Sequence, residues 1–188
     1  MTINVQRVTA QQLDQVLPDL LAVYRAVFSL PPYNEGEQDV AAFAESFNRQ
    51  VQYPGFQGYV AQDNTAQVCG FSYGFTVSGE ARWHRLFFEL LQPQSRETWL
   101  DDCFLLVELA VVPERQGQGI GGRLHDAVLA DVPHRRAILS TAQNENPALH
   151  LYWRRGWEVL AQDWSFQDPA SPSYLLGLDL DSRRPSRR

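Results

Sequence analysis

The chain has 188 residues and a formal net charge of −6 at pH 7, and it contains no lysine, so all 16 basic side chains are arginines. That absence excludes a phosphate-binding P-loop, a pyridoxal Schiff base and a kinase ATP lysine, and a guanidinium cannot be deprotonated to act as base or nucleophile. Residues 183–188 hold four arginines and no acid, and taking those four charges from −6 leaves residues 1–182 at −10. An acidic body argues against nucleic-acid binding and suits plain solubility or a cationic small substrate.

In chain order, residues 2–8 alternate and predict a first strand. Thr9 with Gln12 forms a capping box that opens a helix carrying Leu13, Val16, Leu17, Leu20, Val23 and Val27, which Pro18 is expected to kink or divide. A loop at residues 31–36 leads to a second helix, Gln38 to Val51. Phe56 to Gln62 and Gln67 to Val77 flank a turn and read as an antiparallel hairpin. Residues 78–102 are ambiguous, with Trp83, Phe87, Leu90 and Leu91 at helical spacing. Cys103 to Val112 is the most apolar run and predicts a central buried strand. A helix from Gly119 or Ile120 to Ala130, a strand from Arg136 to Thr141, a helix from Pro147 to Arg155 and a last strand from Tyr174 to Leu180 complete a mixed-sheet α/β domain. Residues 1–181 are expected to form a single domain and 182–188 a flexible basic tail. Cys69 and Cys103 have no metal or CxxC spacing, and the four histidines no ligand spacing, so no metal is expected. The N-terminus lacks a signal-peptide stretch and the longest apolar run is too short to span a bilayer, which predicts a cytoplasmic protein with no membrane contact.

The segment from Val111 to Leu124 carries Gly117, Gly119, Gly121 and Gly122 between that strand and an amphipathic helix. Glycines allow close backbone approach and a helix start offers free N–H groups, which together make an anion site. Gly117, Gly119 and Gly122 literally satisfy GxGxxG. Yet Pro113 to Gln116 separate them from the strand, and no acid follows at the next strand end, so the dinucleotide reading fails on context. Gln116-Gly117-Gln118-Gly119-Ile120-Gly121 instead resembles the Arg/Gln-x-x-Gly-x-Gly/Ala signature of the GNAT acetyltransferases. The approach Glu108-Leu109-Ala110-Val111-Val112-Pro113 is similar to that family's, and Asn144 through Tyr152 to Gly156-Trp157 resembles its second conserved segment.

This resemblance implies a mixed, mostly antiparallel sheet of about 6–7 strands, helices on both faces and a splayed central strand pair. It implies acetyl-CoA as cosubstrate and a small-molecule or peptide amine as acceptor, attacked directly in a ternary complex. The backbone of Gln116, Gly117, Gln118, Gly119, Ile120, Gly121 and Gly122 would hold the pyrophosphate, with Arg115 or Arg123 assisting. Ala110, Val111 and Val112 would pair with the pantetheine arm, and Asn144 or Asn146 would bind its amides. Glu108 would take the amine proton, with Asp101, Asp102, Glu35 and His84 as substitutes, and Tyr152 would protonate the leaving thiolate. Strand alternation turns Glu108 away from the Leu109 and Val111 face, so a bulge or a water is expected to bring it to the reaction.

Two readings compete with catalysis of this kind. One is a CoA-binding regulatory module without activity. The other is a serine hydrolase, since Gly70-Phe71-Ser72-Tyr73-Gly74 literally reads GxSxG, although Phe75 to Gly79 continues as strand and turn rather than helix. Residues 78–102 exceed what the family needs there. Trp83 and Trp99, with Tyr33 and Glu35, are candidates to wall a cleft for a cationic amine, or equally to cover the sheet or a homodimer contact; a monomer is the alternative state.

Overall fold

The N-terminal alternation becomes strand β1 (Asn4–Arg7), and the chain continues through α1 (Leu13–Phe28), α2 (Glu37–Gln50), β2 (Gln57–Gln62) and β3 (Val68–Thr76). Helices α3 (Arg82–Leu90) and α4 (Arg96–Leu100) precede β4 (Cys103–Val111), α5 (Ile120–Ala130), β5 (Arg136–Ala142), α6 (Pro147–Arg154), β6 (Glu158–Trp164) and β7 (Ser173–Asp179). This computed structural model describes residues 2–31, 33–78, 82–165 and 171–183. The strands form one mixed sheet in the order β1-β2-β3-β4-β5-β7-β6. Pairing is antiparallel for β1–β2, β2–β3, β5–β7 and β6–β7, and parallel for β4–β5.

The chain divides into two compact units, Met1–Phe75 with Val107–Val132 and Thr76–Leu106 with Pro133–Arg188; β4 runs through both. In the first unit the Gln12 side chain reaches back to the Thr9 N–H at 3.0 Å, as the capping box requires, and Asp39 does the same for Gly36 at 2.9 Å. Val60 and Ala61 are successive on β2 and so face opposite ways. Val60 joins Leu20, Val23 and Tyr24 of α1, Phe43 and Phe47 of α2, and Phe71 and Tyr73 of β3. Ala61 packs with Cys69, Val111 and the α5 residues Ile120 and Leu124. This unit therefore carries helices on both faces of its strands, as expected. The register slips between Ala61 and Gln62, where Val68 and Gly70 pair with consecutive β2 residues and Cys69 is the extra one.

In the second unit β4 and β5 pair at Cys103↔Arg136, Phe104↔Ala137 and Leu105↔Ile138, and their ladder ends there among the described residues. β5, β7 and β6 form a longer antiparallel ladder. A Cβ at Gly177 of β7 would stand 2.5 Å from the Trp99 ring and 2.7 Å from Leu160, so only glycine lets this indole lie against the strand.

Three expectations change. α1 is not divided at Pro18, whose ring suits a helical φ and which sits on the exposed side, where a carbonyl without its helix bond is open to solvent. Residues 82–100, ambiguous in sequence, form α3 and α4. β6 was not predicted at all. Two register shifts and a left-handed Asp163 (φ 58°) break its alternation, and exposed Val159 weakens the two-residue period. Pro32 of the predicted loop, Gly79 of the predicted turn and residues 184–188 of the predicted tail lie outside the described residues.

Candidate active site

Glu108 sits in the middle of the most apolar strand, and Tyr24, Tyr33, Glu35 and Tyr73, which interact with it, belong to the first unit. Strict alternation would put Val107 on the face of Leu109. Instead Val107 packs with Ala110 against the α1–α2 core, whereas Leu109 and Val111 pack against the α5 side. The carboxyl of Glu108 acts electrostatically on Tyr24 and Tyr73, two members of the α1–α2 core, so Val107 and Glu108 both face that core. Two successive residues on one face are the pattern of a β-bulge; it shifts Val107, while Glu108 stays on the face opposite Leu109 and Val111, as alternation predicts.

Burial, and then the nearby Glu35 carboxylate, raise the Glu108 pKa to about 8, against a smaller opposing hydrogen bond from the Leu109 N–H. Burial also raises Glu35; a hydrogen bond from the Tyr24 hydroxyl works the other way, and Asp39 adds to the rise. Burial, Glu108 and the bond to Glu35 push the Tyr24 phenol far up, so it stays a donor. Tyr33 is raised by burial, Glu108 and Glu35, and Tyr73 by burial and Glu108. Tyr73 donates to Gln50 Oε1 at 2.8 Å. The result is a pair of carboxylates in electrostatic reach of three phenols. Such a site can accept a proton near neutral pH and hold a cation.

The glycine loop follows on the same unit. Gly117 and Gly119 adopt left-handed φ of 72° and 77°, and no heavy atom lies within 4 Å of a Cβ built at either. Gly119 caps α5, whose first backbone bond is Arg123 N–H to Gly119 O at 3.2 Å. The N–H groups of Ile120, Gly121 and Gly122 stand in the first turn of the helix, ahead of any intrahelical partner, where such groups serve as donors. Gln116 Nε2 donates to Val111 O at 2.9 Å and Gln118 Nε2 to Glu114 O at 3.2 Å, so these side chains brace the loop. Arg115 pairs with buried Asp63 at 3.4 Å, and Arg123 donates to Ile3 O at 2.9 Å. The open, anion-accepting backbone fits a pyrophosphate.

On the second unit, Tyr152 is buried on α6 and meets Trp157 edge-on at 5.8 Å. Asn146 caps α6 by accepting from Leu149 N–H at 2.8 Å, and its amide donates to Asn144 O and Oδ1. Asn146 is therefore committed to the helix cap, while Asn144 is exposed.

A family model described as the acetyltransferase (GNAT) domain matches residues 54–159, more than half of the chain. The chain belongs to the GNAT acetyltransferase family. Solved structures of similar fold include the ribosomal-protein-S18-alanine N-acetyltransferase of Escherichia coli, with 14% identity, TM-score 0.62, and coverage of 95% of this chain and 94% of that one. The PaiA N-acetyltransferase of Thermoplasma acidophilum in complex with coenzyme A gives 12%, 0.62, 95% and 99% in the same order. NAA60 of Arabidopsis thaliana in complex with a bisubstrate analogue gives 18%, 0.63, 95% and 98%. No curated protein matches the sequence.

In this GNAT acetyltransferase Tyr33 and Glu35 come together with Glu108, whereas Trp99 covers the sheet at Gly177 and Trp83 stacks on Phe87 at 5.8 Å. Among the substitute bases, Asp102 is held by His134 Nδ1 at 2.7 Å and by the Arg135 N–H at 3.1 Å, and His84 stacks on Phe88. His134 Nε2 in turn meets Thr76 Oγ1 at 2.9 Å, which ties the ends of β3 and β4 to the start of β5. The hydrolase reading is corrected: Ser72 lies mid-strand, buried, with its hydroxyl donating to Leu124 O at 3.1 Å, where no nucleophile elbow exists. Tyr24, Tyr73 and Gln50 were missed because each occupies an apolar position of its element. The signal available was a phenol where the period alone would place an aliphatic residue.

Proposed function

We propose that the protein transfers an acetyl group from acetyl-CoA to the amine of a small molecule or peptide by direct attack in a ternary complex. The observation that carries this reading is Glu108, a carboxyl raised to about 8 among three tyrosines and beside a second carboxylate. An ammonium has a pKa of about 10 and must lose a proton before it can attack. Glu108, deprotonated above about 8, takes that proton directly or through water. The neutral nitrogen forms a bond to the thioester carbonyl carbon, the carbon–sulfur bond breaks, and the thiolate leaves with a proton from Tyr152. The nitrogen sheds its second proton, which returns through water to the Tyr152 oxygen, and Glu108 releases its proton to solvent, giving amide, CoA thiol and the restored enzyme.

In this reading the Gln116–Gly122 backbone receives the pyrophosphate, which suits a chain without lysine. The Ala110–Val112 backbone pairs with pantetheine, and an N–H near Val111 polarises the carbonyl. Asn144 or Asn146 meets the pantetheine amides; Asn144 is the exposed one of the two, and its Oδ1 accepts from the Asn146 amide. The test is a panel of amines, amino acids and peptides assayed with acetyl-CoA for thiol release and acetylated product. Tight acetyl-CoA binding with no acetylation of any acceptor rejects catalysis in favour of a CoA-binding module.

A further inference from the structure

We infer that the acceptor carries a second cationic group and that Glu35 is the carboxylate that receives it, an inference that rests on the amine-acetylating reading above. The two acids near the reaction have different fates. Glu108 takes the proton of the reacting amine and becomes neutral, so it needs no counter-charge afterwards. Glu35 does not take part in that exchange. One of its oxygens accepts from Tyr24, while Oε2 is buried with no hydrogen-bond donor among the described residues. A buried oxygen without a donor is a cost the fold bears, unless a ligand satisfies it.

The cation that stands next to Tyr24 in the chain is held by another acid. Arg25 follows Tyr24 on α1, yet its guanidinium forms a two-bond pair with Glu37, at 2.7 and 2.8 Å, and not with Glu35. Neither Glu35 nor Glu108 joins an ion pair among the described residues. The position of Glu35 is also fixed rather than casual: its N–H donates to Phe28 O at 2.8 Å, after Asn34 turns through a left-handed φ of 52°. The walls are aromatic. Tyr24 lies 4.5 Å from Phe28, which meets Tyr33 edge-on at 4.9 Å, and such faces favour ammonium groups. Glu35 is half-buried as a residue, so it borders the solvent from which a cation enters.

The chemical class is a linear diamine, or an amine with a second protonated nitrogen a few bonds away. The test compares 1,5-diaminopentane with 1-aminopentane as acceptors, in the wild-type protein and in Glu35→Gln and Glu35→Lys variants. The ratio of the two kcat/KM values is read within each preparation, so it does not depend on the folded fraction. Wild type is expected to prefer the diamine by about 30-fold or more, as removal of a partner from a desolvated charge pair costs. The ratio should fall towards 1 in Glu35→Gln and below 1 in Glu35→Lys, where the new ammonium repels the second charge. Equal use of both amines by wild type, or a ratio unchanged in both variants, overturns this inference alone. Acetylation of no amine, with acetyl-CoA binding intact, overturns the parent reading and this one with it.

Discussion

Replacing Glu108 with Gln should make the protein more stable and nearly inactive, and the size of the gain should depend on pH. A carboxyl with an ordinary value of 4.5 in the unfolded chain and about 8 in the folded one binds its proton more tightly when folded. Below pH 4.5 both states are protonated and the group contributes nothing. As pH rises the unfolded chain ionises first, so folding stability is lost steadily until pH passes 8, where the loss levels off. At about 1.4 kcal/mol per pKa unit, the cost to the wild type is below about 1 kcal/mol at pH 5, about 3 at pH 7 and close to 5 above pH 8. These are ceilings, because water reaches a half-buried side chain and screens it.

Gln has the shape of the neutral acid and escapes this cost at every pH. Urea unfolding of wild type and Glu108→Gln at pH 5, 7 and 8.5 should therefore show a gap that widens with pH in favour of the variant. Over the same range kcat should fall by about 100-fold to 10,000-fold, the usual contribution of a positioned base. A gap that stays constant with pH, or a variant less stable than wild type at pH 8.5, would refute the raised carboxyl and with it the argument for Glu108 as base.

The wild-type pH profile of kcat/KM should climb with a slope near 1 towards pH about 8, where Glu108 deprotonates, and the inflection should vanish in Glu108→Gln. Gly119→Ala meets open space but must hold a left-handed φ of 77°; a stability loss of about 1–2 kcal/mol by thermal unfolding and a raised KM for acetyl-CoA are expected. Gly177→Ala drives a methyl to 2.5 Å from the Trp99 ring, and the overpacking should cost about 1–3 kcal/mol in urea unfolding. Ser72→Ala removes one buried hydrogen bond, to Leu124 O, worth about 1 kcal/mol; acetyl transfer should persist, and an esterase activity abolished by this change would revive the hydrolase reading.

Much of the first unit was legible because its signals are local and agree with one another. The Thr9–Gln12 box, the Leu20–Val23–Val27 stripe and the hairpin turn before Val68 each name their element without help from the rest of the chain. The glycine loop was legible for the same reason, since left-handed Gly117 and Gly119 are a composition signal. β6 was hidden because its bulges erase the period on which strand reading depends. The split between Asn144 and Asn146 was hidden too. A side chain spent on a helix cap looks, in sequence, the same as one that is not.

The places where local rules fail are not spread evenly. An acid stands in the most apolar strand, alternation slips at its neighbour Val107, a non-glycine residue adopts left-handed φ just before Glu35, and Glu35 itself keeps a buried oxygen without a donor among the described residues. Each is a cost, and in a chain selected for stability alone each would be cheap to remove: Glu108 by an aliphatic residue, Glu35 by a neutral one. Their convergence on one pair of carboxylates is hard to account for by packing, because none of them improves it. It follows naturally if the pair is completed by a ligand that brings one proton to Glu108 and one lasting positive charge to Glu35.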